Sequence, residues 1–199
     1  MAKKQRLPAR QPRRSPGIER YQSIIEAAEC LIVETGSRVG LTLETVAKQA
    51  GVPRVSLYYF FESVDALVDT LDQRAVQRMV AELPRPPATT DWQKLLSLYA
   101  DSVGKFYLNN FLEIILALMP TSHESFHQAS QEFGKALYDL LTANGAVPKS
   151  QKVARACDII AGLPGLVWRK SFIETGTLTP AYHREAKRVT IAYMAAVLE

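Results

Sequence analysis

Apolar residues in this sequence recur every three or four positions from Ile18 almost to the C-terminus, and no stretch alternates apolar and polar residues as a strand does. This spacing places apolar side chains along one face of successive α-helices. Residues that favour turns interrupt the pattern, most clearly Gly36, Gly51, the prolines between 84 and 87, and the pair Asn144–Gly145. The sequence therefore predicts an all-α fold of about nine helices.

Capping residues sharpen the expected helix boundaries. Thr42 and Ser63 are good N-caps, and Pro53 suits the first position of a helix. Pro164 lies inside a long helical pattern, which it should kink unless the segment Gly162–Pro164 breaks the helix outright. The expected helices span approximately 18–35, 43–50, 53–60, 63–82, 91–107, 110–119, 122–143, 148–175 and 180–198.

Composition excludes several classes of protein. Hydrophobic residues make up 47% and charged residues 22% of the 199 residues, as in folded globular proteins. The longest apolar run, 114–119, is far too short to cross a bilayer. The basic N-terminus is not followed by the apolar stretch that a secretory signal requires. With only two cysteines, Cys30 and Cys157, we expect buried, reduced thiols rather than disulfides. These features predict a cytoplasmic protein with no membrane partner.

The positive charge is concentrated at the N-terminus. Residues 1–60 contain ten Lys and Arg against five Asp and Glu, whereas residues 61–199 contain fourteen against fifteen. Prolines at 8, 12 and 16 keep the first residues out of a helix. Such an arm suits a polyanion, although it could instead be a solvated tail. The basic residues of this arm are Lys3, Lys4, Arg6, Arg10, Arg13 and Arg14.

The segment 42–60 has the pattern of two short helices joined by a tight turn. Gly51 can adopt the left-handed conformation that such a turn requires. The apolar residues that would pack these helices on the first one are Val46, Ala47, Ala50, Val52, Leu57 and Phe60. The second short helix then presents Arg54, Ser56, Tyr58 and Tyr59, whose side chains can bond to bases and phosphates.

This segment resembles the helix-turn-helix of the tetracycline-repressor (TetR) family. The most specific part is Ser-Leu-Tyr-Tyr-Phe-Phe-Glu-Ser at 56–63, followed by Asp-Ala-Leu at 65–67. Residues 24–36 are similar to the family's first helix, and the resemblance covers roughly residues 18–70. It implies a homodimeric, nucleoid-associated transcriptional repressor that binds a double-stranded DNA operator.

The resemblance also implies a role for individual residues. Those expected to contact DNA are Thr42, Pro53, Arg54, Ser56, Tyr58 and Tyr59. One of the two tyrosines could instead belong partly to the core. Two positions depart from the family, because Val64 replaces a usual lysine and Phe60 a common histidine, and Glu62 adds a negative charge nearby. We therefore expect the basic arm to supply additional phosphate or minor-groove contacts.

The implied organisation is a basic arm at 1–17, a three-helix DNA-binding domain at 18–62, a connecting helix at 63–82, and a helical ligand-binding and dimerisation domain at 83–199. The last two helices would pair with their copies in a second subunit, with small residues allowing close approach. The alternative is that their apolar stripe packs only within one subunit. The stripe consists of Val189, Ala192, Tyr193, Ala196 and Val197.

Aromatic residues are frequent in the middle helices, and some could line a pocket for a small-molecule effector that the sequence does not identify. Most could equally be core residues. The candidates for the pocket are Trp92, Tyr99, Phe106, Phe126, Phe133 and Trp168. No cofactor is expected. Within the same family, the protein could also act without an effector or activate transcription.

One motif indicates a different chemistry. His123-Glu124-Ser125-Phe126-His127 matches His-Glu-x-x-His, which in zinc peptidases places two metal ligands on one helical face beside a general base. Glu132 or His183 could supply a third ligand if the fold brought them near. Because no third ligand has a recognisable spacing, we expect an exposed helix start rather than a metal-dependent hydrolase, with neither bound metal nor enzymatic activity.

Overall fold

The computed structural model describes Pro12 and residues 15–83, 87–118 and 123–199. In these ranges the chain forms nine α-helices and no strand, so the predicted all-α fold is confirmed. The helices are α1 (Ser15–Thr35), α2 (Leu43–Ala50), α3 (Arg54–Phe60), α4 (Val64–Glu82), α5 (Trp92–Asn109), α6 (Phe111–Leu118), α7 (His123–Ala143), α8 (Gln151–Thr175) and α9 (Pro180–Leu198). None of these helices is long and apolar enough to span a membrane.

Side-chain caps explain where several helices begin. The Thr42 side chain accepts a hydrogen bond from the backbone N–H of Thr45, and Ser63 caps α4 in the same way through Ala66. Three predicted starts are wrong. Helix α1 begins at Ser15 instead of about residue 18 and contains Pro16, which was expected to lie outside a helix. Ser150 caps α8, which therefore begins at Gln151 instead of Pro148. Pro53 has an extended ψ of 138° and is the N-cap of α3, which begins one residue later.

The long helix α8 continues through Pro164 as predicted, and the alternative of a break at Gly162–Pro164 does not occur. A proline removes one backbone donor and leaves the carbonyl four residues earlier without its helical partner. Pro164 is buried, and the packing of α8 against the core of the unit offsets the loss of this hydrogen bond.

The chain divides into two compact units, Met1–Arg74 and Ala75–Glu199. In the first unit, the buried face of α1 includes Ile24, Ile25 and Ile32, which are fully inaccessible to solvent. Cys30 lies on the opposite face and is exposed, so the prediction of a buried thiol is wrong for this cysteine. An α-helix turns by about 100° per residue, which separates position 30 from positions 28 and 32.

A ring cluster and an ion pair complete the first unit. Tyr21 stacks on Phe61 with ring centroids 5.4 Å apart, and meets the edge of Phe60 at 5.7 Å. Arg38, in the connection between α1 and α2, contacts Asp72 of α4 at 2.9 Å. Their side chains are only 8% and 11% exposed, so this pair is nearly buried.

The second unit has a larger core that contains most of the aromatic residues. Tyr99, Phe106, Tyr107, Phe133 and Trp168 are all less than 9% exposed. Cys157 is buried there as predicted, and burial raises the pKa of its thiol to about 12. The remaining core is aliphatic and comes mainly from α5, α7, α8 and α9.

Candidate functional site

The turn between α2 and α3 is built by local backbone bonds. Gly51 has a φ of 64°, in the left-handed region that favours glycine, and its N–H donates to the carbonyls of Ala47 and Lys48. The next residue, Val52, donates to the Ala47 carbonyl at 3.1 Å. The chain then enters α3, where Ser56 and Leu57 donate to the carbonyl of Pro53. This is the geometry of a helix-turn-helix.

Two buried residues anchor α3 and leave the rest of the helix at the surface. Leu57 is 0% and Phe60 is 5% exposed. They are three positions apart, so they form one face of this two-turn helix. The opposite side carries Tyr58, 48% exposed, and Tyr59, 59% exposed, so the alternative that one of these tyrosines belongs to the core is not supported by their exposure.

Arg54 lies between an acidic and an aromatic side chain. Its Nη1 is 3.6 Å from Oε1 of Glu44 on α2, and its guanidinium is 5.8 Å from the centroid of the Tyr58 ring. A hydrogen bond to Tyr58, followed in importance by the charge of Glu44, raises the pKa of Arg54. The guanidinium stays charged, and these contacts hold it loosely on the exposed surface of the helix pair.

Thr42 is exposed but its hydroxyl is engaged. Its Oγ1 accepts from the Thr45 backbone N–H at 3.0 Å, while the Thr45 hydroxyl oxygen accepts from the Thr42 backbone N–H at 3.1 Å. This reciprocal capping box fixes the start of α2. The capping hydrogen bonds therefore hold the Thr42 side chain in one orientation at the surface of the helix pair.

The structure also exposes a residue that sequence reasoning missed. Val55, the second residue of α3, is 82% exposed, although it is apolar. The exposure of Val55 could have been predicted from the sequence, because a residue two positions before Leu57 cannot lie on the same face of a helix. An exposed valine here can make an apolar contact with the methyl group of thymine.

The basic arm lies outside the described residues. This applies to Lys3, Lys4, Arg6, Arg10, Arg13 and Arg14. Two positions where the sequence departs from the TetR pattern are described: Phe60 is buried against Tyr21, and Val64 is half-buried at the start of α4. Neither can bind a phosphate.

In the second unit, the predicted pocket residues do not surround one cavity. Tyr99 borders an apolar groove of about 380 Å³, and Phe106 borders a second cavity of about 250 Å³. Phe133 and Trp168, with Tyr99, enclose a void of only about 30 Å³. Trp92 is half-buried and packs on the core, and the side chain of Phe126 lies outside the described part of the structure.

The predicted dimer residues occupy two environments on α9. Val189, Ala192 and Ala196 are exposed, whereas Tyr193 and Val197 are half-buried and pack on the core of their own unit. Other large exposed apolar side chains lie on α8, namely Ile159, Leu166 and Ile173 at 41%, 60% and 63%. Their spacing of seven residues places them on one face of that helix.

The His-Glu-x-x-His motif falls at the start of α7. His127 is exposed and its ring nitrogen lies 3.1 Å from the Gln131 amide, while the side chains of His123 and Glu124 are outside the described residues. No group of three potential metal ligands occurs among the residues that the structure does describe. Glu132 is exposed, and His183 instead contacts Asp101 at 2.8 Å.

Comparison with known proteins gives the decisive observation. Residues 24–71, which contain the helix-turn-helix, match the model of bacterial regulatory proteins of the tetR family. The helix-turn-helix of this chain is therefore similar to that of TetR-family regulators. The matched model describes regulatory proteins, and the relatives are named as transcriptional regulators, which agrees with the prediction that the chain is not an enzyme.

Individual relatives agree with this assignment. The chain is 29% identical over 141 residues to an HTH-type transcriptional repressor of Mycobacterium tuberculosis, Rv1353c; the match covers 70% of this chain and 53% of that protein. The chain thus spans about half the length of the curated relatives it matches. A TetR-family regulator from Streptomyces coelicolor aligns with a TM-score of 0.66 at 21% identity, covering 90% of this chain and 99% of the other. A second, from Rhodococcus sp. RHA1, has the same TM-score at 17% identity and covers 90% and 97% of the two chains.

Proposed function

We propose that this protein is a transcriptional repressor that binds a double-stranded DNA operator as a homodimer and releases it when a small molecule binds the second unit. The observation that supports DNA binding is the exposed side of α3, where Arg54 and Tyr58 face solvent on a helix anchored by Leu57 and Phe60. A short helix with such a surface can enter the major groove and read base edges.

The proposed contacts follow from the chemistry of each side chain. Arg54 bonds to guanine, and Tyr58 to a base or a phosphate. Tyr59 and the capped Thr42 bind phosphates, while Pro53 and Ser56 line the groove at the start of the helix. Val55 adds an apolar contact to thymine. The basic arm contributes further phosphate contacts, which matter more because Phe60 and Val64 offer none.

A homodimer is needed because one helix of seven residues contacts too few base pairs to select a site in a genome. The exposed apolar side chains of α8 and α9 are the proposed interface. They are Ile159, Leu166 and Ile173 on α8, with Val189, Ala192 and Ala196 on α9. Two-fold symmetry would then place the two copies of α3 about 34–36 Å apart, in successive major grooves.

Ligand response is proposed through α4. This helix is continuous from Val64 to Glu82, and its C-terminal residues border the cavities of the second unit: Met79 and Glu82 the smaller one, Val80 the apolar groove. A ligand in either cavity contacts α4 directly. It weakens DNA binding only if it prefers the form of the protein that does not fit the operator.

The test begins with selection of an operator from genomic DNA fragments by the purified protein, followed by footprinting and titration. Arg54→Ala should weaken operator binding roughly ten- to a hundredfold and relax preference at one base pair, because a bidentate guanine contact is lost. Lys149→Ala, which removes an exposed cation from the connection between α7 and α8, is the control and should leave affinity unchanged. An Arg54→Ala variant with full affinity and selectivity would remove α3 from the interface.

Three further measurements test other parts of the proposal. Deletion of residues 2–14 should flatten the dependence of affinity on salt, since fewer counterions are released. Val189→Glu should convert dimers into monomers in sedimentation experiments, because a charge would be placed in an apolar interface. A reporter gene behind the operator separates repression from activation.

A further inference from the structure

Helix α3 carries an apolar side chain near the centre of its exposed face. An α-helix turns by about 100° per residue. Around the helix axis, the exposed residues of α3 therefore follow one another in the order Arg54, Tyr58, Val55 and Tyr59. Val55, which is 82% exposed, lies between the two tyrosines and opposite the buried Leu57. If this face of α3 enters the major groove, Val55 is directed at the edges of the bases.

Folding of the free protein does not account for a valine at this position. Val55 lies off the buried face of α3, which Leu57 and Phe60 form. A β-branched residue also favours a helix less than alanine or a straight-chain residue does. An apolar group of a bound partner that covered Val55 would remove its side chain from water, which is favourable.

The major groove of DNA presents such an apolar group, the 5-methyl group of thymine. Valine has no side-chain donor or acceptor, so it can contact this methyl group but cannot distinguish the thymine carbonyl from the cytosine amino group. Against a pyrimidine without the methyl group, it would cover a polar group without bonding to it, which is unfavourable. Cytosine that is methylated at C5 carries the same methyl group at the same place as thymine.

The residue before Val55 determines which base pair lies beside this methyl group. Arg54 is exposed, with its guanidinium 3.6 Å from Glu44, and arginine can form two hydrogen bonds with guanine. Neighbouring base pairs are about 3.4 Å apart along the duplex, so consecutive residues of one helix can reach adjacent pairs.

We infer that Arg54 and Val55 together recognise a guanine and, in the adjacent base pair, a pyrimidine that carries a 5-methyl group, either thymine or 5-methylcytosine. This inference rests on the proposed function, because it names the bases that the proposed site contacts. A DNA site with cytosine at that position then binds more tightly when the cytosine is methylated at C5. Binding of this protein thereby responds to a chemical modification of DNA as well as to its sequence.

The test uses the full-length protein and synthetic duplexes of the selected operator. Each thymine is replaced in turn by uracil, which pairs in the same way but lacks the methyl group. One position in each half-site, next to the guanine whose preference Arg54→Ala relaxes, should lose about fourfold in affinity, because burial of one methyl group contributes about that factor. Replacement in both half-sites should cost about sixteenfold.

Methylated cytosine is tested at the same position. With a cytosine–guanine pair in place of thymine and adenine, 5-methylcytosine should bind about fourfold more tightly than cytosine. Each comparison keeps the base pair and changes only the methyl group. Similar factors for the two base pairs would support recognition of the methyl group itself.

Two variants assign this effect to one side chain. Val55→Ala removes two methyl groups and favours the helix, so this variant should fold. It should lower both methyl factors to less than about twofold, because less apolar surface is covered. Val33→Ala is the matched control, since it shortens an exposed valine on α1, and it should leave both factors unchanged.

Uracil that is tolerated at every position would overturn the inference, and so would a uracil effect that persists in Val55→Ala. The same holds if 5-methylcytosine binds no better than cytosine. With any of these results, the proposed function still stands if Arg54→Ala weakens operator binding. If the protein binds no duplex selectively, the proposed function fails, and this inference fails with it.

Discussion

The two units of this protein use their polar and aromatic residues in opposite ways. The first unit holds Arg54, Tyr58 and Tyr59 at the surface of a helix of seven residues. The second buries Tyr99, Phe106, Tyr107, Phe133 and Trp168 and has an apolar groove at its surface. A surface site of this kind is made from neighbouring residues of one helix, whereas a groove is made where several helices fail to fill space. The first can be recognised in a sequence and the second cannot.

The units also differ in the contacts that hold their helices. The first unit links α4 to the connection before α2 through the nearly buried pair Arg38–Asp72. In the second unit, α7 and α8 approach so closely that a Cβ on Gly134 would lie 2.6 Å from the Cα of Asp158. One contact depends on charge and the other on the absence of a side chain.

Asp72→Ala should produce the largest loss of stability, because it removes the carboxylate that contacts the nearly buried Arg38 guanidinium. We expect a decrease of about 3–5 kcal/mol in the free energy of unfolding, measured by urea denaturation. Asp139→Ala breaks the exposed pair Lys135–Asp139, whose side chains are 80% and 59% exposed, and should cost less than about 1 kcal/mol. Equal effects of the two substitutions would show that the first unit does not depend on its buried pair.

Gly134→Ala should be the next largest effect, at about 1–3 kcal/mol, since the added methyl group meets the backbone of α8 and one helix must move. Gly165→Ala is the matched control. A Cβ at Gly165 would meet nothing within 4 Å, so alanine there should stabilise the helix by about 0.5–1 kcal/mol. If both substitutions stabilise the protein, α7 and α8 do not require the close approach.

The helix pattern, the caps at Thr42 and Ser63, and the exposure of the α3 side chains were accessible from the sequence. All depend on periodicity or on bonds between near neighbours. The groove was not accessible, because its walls combine residues as far apart as Val80 and Asn144. Aromatic content indicated a pocket but could not separate Phe133, which is core, from Tyr99, which borders the groove.

The second unit also contains a charged cluster, which joins α5 to α9. Asp101 accepts hydrogen bonds from Lys187 at 2.9 and 2.8 Å and contacts His183 at 2.8 Å. Desolvation raises the pKa of Asp101, but the bonds from Lys187 and His183 outweigh it, and the net shift is downward.

A carboxyl group with a lowered folded pKa stabilises the protein above its unfolded pKa, and that stabilisation is lost as the pH falls through the folded value. Asp101→Asn should therefore lower the melting temperature at pH 7, and the difference from wild type should shrink as the pH falls from about 4 towards 2. Thermal denaturation at several pH values measures this, with Asp139→Asn as the control. A difference that is constant with pH would show that the carboxylate charge contributes nothing.

The smallest effect is expected at the surface of the helix-turn-helix. Glu44 is 70% exposed, lies 3.6 Å from Arg54, and places a negative charge on the side of the helix pair that is proposed to meet phosphates. It therefore competes with DNA for Arg54 and repels any duplex, whatever its sequence. Glu44→Gln should raise affinity for random DNA by about two- to fivefold, as expected for an exposed charge, and raise affinity for the operator less.

Glu174→Gln is the control. It changes the net charge equally but acts on α8, where Glu174 pairs with Lys170, so it separates the local effect of Glu44 from the effect of net charge. Fluorescence titrations at two salt concentrations distinguish the outcomes. If both variants strengthen binding equally, net charge accounts for the effect; if Glu44→Gln alone lowers the ratio of operator to random affinity, Glu44 contributes to specificity by making Arg54 exchange one partner for another. That exchange is possible only at a surface site, where both partners are exposed.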